Sequence, residues 1–425
     1  MITAPETIRD TVISNVHGKQ DRRAEARLFG VRFVGDRSIF TNRGDALWLR
    51  NRTAYNRFFS RAHVRGYHES VELVTCRLVE QLRRVAGTGQ LVDMNRWFNL
   101  AACDIISLVA FNWDIDSVSR TDATFPRYLE QAFLGTALAT GKPLSWLSPS
   151  HAGQRRDAKH AVRELRAACA AQIRKHEARS ENPCLLDEIL SLSTHDPQFQ
   201  VDEMLAMFLA GQETVAHVAT FALSHVMRDR SLGEQVAGEA AEYVQEHSFR
   251  TLTGMRNMDN LLKETLRHYA PVPGLRRVLS RDTDICGYKV PKGTVTVHSM
   301  ALYAHDEDTW GADHLDFNPR RFDTTGATGL RVGSGETKES APGGAQTRHS
   351  HAFLPFGIGP RVCIGRELAK IEFKTLMASL LAQFRFAPVE GEDIAAVRLT
   401  SLKPKSGYMC YVELGEDNGD NERKA

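Results

Sequence analysis

Ten residues, Phe356-Gly357-Ile358-Gly359-Pro360-Arg361-Val362-Cys363-Ile364-Gly365, constrain this chain more than any other stretch. Two glycines and a proline predict a tight turn that can approach a flat ligand closely, because glycine lacks a Cβ and tolerates positive φ. From Gly365 onward the spacing of Leu368, Ile371, Leu376 and Leu380, with no proline before Pro388, predicts a helix. Cys363 stands at the junction. A sulfur at a helix start meets the positive end of the dipole and free N–H groups, which favours the thiolate, and a thiolate in a glycine-rich turn suits a soft metal.

A second stretch breaks local rules. Met204, Leu205, Phe208, Leu209, Val215, Val218, Ala219 and Ala222 predict a helix over Val201–Val226 that is apolar on most sides and therefore buried. Inside it sits Ala210-Gly211-Gln212-Glu213-Thr214. Glycine in a helix interior costs about 1 kcal/mol and a buried carboxylate costs more, and such violations are where function is found.

The pattern formed by Phe356, Gly359, Arg361, Cys363 and Gly365 resembles the haem-binding signature of the cytochrome P450 family, in which a cysteine thiolate is the axial iron ligand. Five specified residues at fixed spacing arise by chance at on the order of one start position in a million, which sets this reading above that of an inert buried thiol. The resemblance implies haem b as cofactor, with Cys363 as the metal ligand. The segment around Thr214 is similar to the family's oxygen-binding element: Gly211 would leave room for dioxygen, and Thr214 with Glu213 would position a water and pass protons. Trp48 and Arg52, four apart on one predicted helical face, would both donate to a haem propionate, and Arg277 would pair with a propionate. Pro271–Leu275 would run along the substrate cavity. Glu264 and Arg267 form the family's Glu-x-x-Arg, and Arg321, in Phe317–Phe322, would grip the same carboxylate and lock the loop before the cysteine.

The landmarks occur in family order, implying a mainly α fold with small β-sheets. Helices are expected over Arg61–Arg84, Asp93–Phe111 and roughly 153–177, and short antiparallel strands over Gly274–Met300 and again over Phe384–Val412. Residues 1–412 are read as one haem-thiolate domain, with 324–350, rich in Gly, Ser, Thr and Ala, as a flexible insertion and 413–425 as a mobile tail. Trp48-x-x-x-Arg52 lies nearer the N-terminus than the family has it, so the membrane anchor, first helix and first strands are expected to be missing, a shortened form of the fold. Within the family, Thr3–Arg9, Asp93–Asn95 and Leu185–Leu190 look like segments of the animal cholesterol 24-hydroxylase type, which points to a sterol or other lipid substrate.

Composition narrows the classes further. A net charge of +2 on 54 basic and 52 acidic residues gives no nucleic-acid signal. Seven scattered cysteines without a Cys-x-x-Cys pair read as reduced intracellular thiols. No apolar run reaches the length of a membrane span, although family relatives sit on the endoplasmic reticulum and peripheral membrane contact stays open. The expected activity is monooxygenation of a hydrophobic small molecule, with electrons ultimately from NADPH through a flavoprotein reductase or a ferredoxin. Arg361, Arg366, Lys370 and Lys374 would offer that partner a basic face. A non-catalytic haem-binding relic or a truncated form is the alternative, and an isomerase or peroxygenase a third; Glu213, Thr214 and Cys363 together favour the monooxygenase.

Overall fold

The computed structural model describes residues 7–13, 33–35, 37–42, 46–141, 148–176, 183–193, 195–323, 351–391, 394–398 and 401–415. In chain order its elements are α1 (Ala46–Asn56), α2 (Arg61–Gly66), α3 (His68–Arg83), β1 (Val92–Asp93), α4 (Met94–Phe111), α5 (Thr124–Gly141), α6 (Ala152–Lys175), α7 (Leu185–Leu192), α8 (Pro197–Arg228), α9 (Arg230–Glu246), α10 (Phe249–Gly254) and α11 (Arg256–His268). There follow β2 (Gly274–Val278), β3 (Thr283–Ile285), β4 (Tyr288–Val290), β5 (Val295–Ser299), α12 (Met300–Ala304), α13 (Glu307–Trp310), α14 (Arg366–Leu381), β6 (Phe384–Pro388), β7 (Ala396–Arg398), β8 (Leu402–Pro404) and β9 (Met409–Leu414).

The long central helix α8 starts where the sequence supplies both a cap and a pre-set backbone. Asp196 accepts the Phe199 N–H, and Pro197 opens the first turn, where no N–H is required. Along its length α8 packs on α4, α6, α11 and α14. Phe208 of α8 meets Phe111 at the end of α4 (ring centroids 5.3 Å apart) and Phe125 of α5 (5.0 Å). Asp93 caps α4, and Asn112 ends it in the left-handed conformation, φ 49°. One hydrophobic cluster runs from Phe33 to Val412 around these helices.

The sheets are small and antiparallel. β9 lies between β1 and β6, with Val92 opposite Cys410 and Phe384 opposite Leu414. β2 pairs with β5, setting Arg277 opposite Thr296, and β3–β4 and β7–β8 are two-stranded hairpins. A mainly α fold with small sheets is therefore what the chain adopts. Three expectations need correction or restriction. The helix over Arg61–Arg84 is broken at Tyr67, where α2 ends and α3 begins. Residues 413 and 414 belong to β9 because their backbone pairs with β6, so they are no tail. Residues 324–350, the proposed insertion, and 416–425 lie outside the described residues.

Candidate active site

The Cys363 loop is a succession of backbone hydrogen bonds. Gly357 N–H donates to Leu354 O (2.9 Å), Val362 N–H to Gly359 O (2.9 Å) and Cys363 N–H to Phe356 O (2.8 Å). Gly357 and Gly359 take φ of +70° and +75°, a region closed to most side chains. A Cβ on Gly359 would also press on Ile13, at 3.4 Å from its Cα. Gly365 is different: its φ is −84°, and a Cβ there would meet nothing within 4 Å. That glycine opens space beside the sulfur.

Cys363 is exposed to this space yet set deep in the protein. Burial pushes its thiol pKa up, while the Gly365 N–H and the charges of Arg52 and Arg366 pull the other way. The helix-start argument for a ready thiolate is thus corrected: at Cys363 desolvation outweighs the N-terminal field, and a ligated cation is what would draw off the proton.

Arg52 reaches this loop, and Arg277 on β2 is a buried cation with no carboxylate partner among the described residues. Arg277 is buried, and its one hydrogen bond among the described residues runs to the Arg276 carbonyl (2.8 Å). Burial lowers its pKa, and its charge, second to burial, helps press the neighbouring His298 down to about 4. Arg52 donates to Val362 O (2.7 Å); burial lowers its pKa, and the nearby Cys363 sulfur raises it. Buried guanidiniums with donors to spare call for an anion. Together with the open face at Gly365 and the accessible sulfur, they fit haem, its propionates taking the arginines and its iron the thiolate. Trp48 is buried under Arg361, whose guanidinium lies 4.1 Å from the ring centroid and donates to Asn42 O (3.0 Å). Trp48 and Arg52 thus both back the cysteine loop from α1. Phe356 packs, partly buried, against the core.

On α8, residues 201–224 are buried except for Leu209, Ala210, Gly211 and Thr214. Thr214 Oγ1 donates to Ala210 O (2.8 Å), so its lone pairs remain for the open side. Glu213 is buried and accepts from Ser401 Oγ (2.9 Å), which lies 3.4 Å from His217 Nδ1. Burial first, then Lys403, presses His217 down to about 3, so it is neutral near pH 7. Ser401 carried no signal in the sequence, whereas His217 stands one helical turn from Glu213. Gly211 also has a packing reason: a Cβ there would lie 2.8 Å from Ile106 Cγ1 of α4, so the missing side chain lets the two helices approach closely.

Glu264, Arg267 and Arg321 come together. Arg267 grips Glu264 through two hydrogen bonds of 2.8 Å, both side chains wholly buried, and Arg321 Nε adds a third at 3.2 Å. Asn318 N–H completes the cage at 2.8 Å. Although burial pulls the Glu264 carboxyl up, Arg267, His268 and the Asn318 N–H hold its pKa down to about 2. Arg267 also donates to the carbonyls of Ala304, His314 and Asp316, tying α11 to the segment around α12 and α13.

A family model described as Cytochrome P450 matches residues 1–411. The chain belongs to the cytochrome P450 family. Proteins of this family are haem-thiolate monooxygenases, and this P450 is of that class. The cytochrome P450 monooxygenase sphH of Aspergillus fumigatus is 27% identical over 356 residues, 77% of this chain and 62% of the relative. A cytokinin hydroxylase of Arabidopsis thaliana is 24% identical over 405 residues, 90% of this chain and 73% of the relative. The crystal structure of a cytochrome P450, CYP102L1, matches with TM-score 0.79 at 20% identity over 97% of this chain and 92% of that one, a likeness of fold. Among the described residues of this P450, no helix is long and apolar enough to cross a membrane.

The basic face proposed for an electron donor is smaller than the sequence suggested. Lys374 is buried, donating to the carbonyls of Leu252 and Met255 at the end of α10 and pairing with Asp259 at 2.7 Å. It holds α14 to α10 and α11 and presents no charge to a partner. Arg361 is committed to Trp48 and Asn42. What remains outside is Arg61, Arg366 and Lys370, gathered round Glu367 at 3.3, 2.9 and 3.6 Å.

Proposed function

We propose that this P450 inserts one oxygen atom from dioxygen into a hydrophobic small molecule, a sterol or another lipid, held beside Leu209–Thr214. The observation that carries the reading is the accessible Cys363 sulfur in its glycine turn, with Arg52 beside it donating to Val362 O. The apolar Leu209 and Ala210, where the buried middle of α8 opens, support an apolar substrate, and a relative named as a hydroxylase supports the reaction type. Haem b, when bound, supplies the iron that does the redox chemistry on dioxygen, with thiolate donation favouring O–O cleavage. The protein's part is to hold protons and substrate in place.

Thr214 is the residue best situated for the proton. Its own hydrogen is committed to Ala210 O, so toward the open side its oxygen acts as an acceptor and holds a water or another protonated oxygen. Glu213, tethered through Ser401, forms the buried acidic end of the relay. Thr214→Ala is therefore expected to keep haem and substrate affinity but to divert about tenfold more reducing equivalents to peroxide. Coupling of NADPH oxidation to product measures this; unchanged coupling would remove Thr214 from the proton path.

Electrons are taken to come from NADPH through a flavoprotein reductase or a ferredoxin that docks over Arg61, Arg366 and Lys370. Three cations around one carboxylate leave a net positive patch, which speeds encounter with an acidic partner. The reduction rate should fall severalfold as ionic strength passes about 0.1 M, where the Debye length is near 10 Å, and should fall further in the Arg61→Glu/Lys370→Glu double variant. A rate indifferent to both would remove this patch from the mechanism.

A further inference from the structure

A cluster where α6 gives way to α7 has no part in this chemistry. His176 directly follows α6, Cys184 is the N-cap of α7, and Asp187 sits in its first turn. One ring nitrogen, one sulfur and one carboxylate oxygen from these three lie within 4.8 Å of one another. We propose that His176, Cys184 and Asp187 bind a divalent transition-metal ion, zinc foremost, with water as the fourth ligand.

The donor set selects the metal. Imidazole, thiolate and carboxylate are zinc's own ligand types, whereas thiolate is foreign to magnesium and calcium. Tetrahedral zinc with bonds of about 2.0–2.3 Å needs donors about 3.5 Å apart, so side-chain adjustments of about 1 Å would close the site. His176 Nε2 and Asp187 Oδ1 already meet at 2.8 Å. Asp187 Oδ2 accepts the Cys184 backbone N–H at 2.8 Å, which fixes the carboxylate and leaves Oδ1 for the metal. The His176 side chain is 3% exposed, and among the described residues Asp187 is its one hydrogen-bond partner.

The cap itself points the same way. Helix N-caps favour the oxygen of Ser, Thr, Asp or Asn, and sulfur is a poor acceptor in that role. Cysteine here is a weak cap and a strong metal ligand. Cys184 and Asp187 are partly exposed, which leaves solvent access for the ion and its water, while the His176 ring comes from the buried side. Binding releases the Cys184 thiol proton to solvent and replaces the His176–Asp187 hydrogen bond with two metal bonds, with no change of oxidation state. The ion would tie the end of α6 to α7. Helix α7 is in turn clasped to α1, the helix of Trp48 and Arg52, by Arg50 on Leu192 O (3.2 Å), and to Arg57, just after α1, by the Arg57–Glu188 ion pair.

Haem-loaded protein, freed of metal with a chelator, is titrated with Co²⁺ and read as a difference spectrum against itself. One ion per chain and a near-ultraviolet thiolate-to-cobalt charge-transfer band are expected, with zinc displacing the cobalt and magnesium failing to. Cys184→Ser should abolish the band, and His176→Ala and Asp187→Asn should each weaken binding about tenfold or more. Cys286→Ser, an exposed cysteine elsewhere, should change neither. An unaltered haem spectrum in each variant shows that the fold is intact. Absence of the band, its survival in Cys184→Ser, or binding that none of the three substitutions weakens would overturn the site and leave His176–Asp187 as an ordinary ion pair.

Discussion

Glu264→Ala is expected to give protein that is largely insoluble or free of haem. The carboxylate is wholly buried and is the shared acceptor for Arg267, Arg321 and the Asn318 N–H. Removing it strands two buried guanidiniums, and breaking a buried pair from one side costs about 3–5 kcal/mol, a large part of the roughly 5–15 kcal/mol by which a protein is stable. Glu264→Gln keeps the shape and some acceptor capacity, so it should fall between the two. Soluble yield, unfolding midpoint and the ratio of haem to protein measure the effect. A Glu264→Ala protein that folds and holds haem like the parent would show that the cage bears no load.

The same carboxylate sets an acid limit. Its pKa is held down to about 2, against an ordinary value of 4.5. A depressed carboxylate contributes stability that is complete above its unfolded pKa and is lost as pH falls through the folded one. The contribution, on the order of 3 kcal/mol, should therefore fade between pH 4.5 and 2 in the parent and be missing at every pH in Glu264→Gln.

How far the sequence could be read depended on how local the cause was. Glu264 and Arg267 are three residues apart on one helix, so their pairing was visible in spacing alone, while Arg321 was tied to them only through the family pattern. The start of α4 at Asp93 was legible, whereas α8 begins at Pro197, capped by Asp196, four residues before the expected Val201. Misreadings arose where distant segments decide. Lys374 continues the spacing of Arg366 and Lys370, but carbonyls from α10 bury it. The close approach of Ile106 to Gly211 from another helix, and Ser401 as a partner of Glu213 from far along the chain, were likewise not visible in spacing. At Cys363 the local field was legible, whereas the burial that overrides it is a property of the whole fold.

Cys363 carries the second large effect. Its replacement by histidine should leave the Arg52 and Arg277 donors in place, so haem can still be seated, while the thiolate donation that favours O–O cleavage is lost. Monooxygenation should then drop by several orders of magnitude, with haem uptake reduced far less. Serine at the same position, a weak iron ligand, should lower both.

The central claim is that the sulfur of Cys363, at the end of its glycine turn, is the ligand to haem iron. The direct measurement is the absorption spectrum of the reduced, haem-loaded protein under carbon monoxide. A Soret band shifted to the long wavelength of thiolate ligation in the parent, and absent from Cys363→His, is the predicted result; a parent band at the wavelength of histidine-ligated haem would contradict the account.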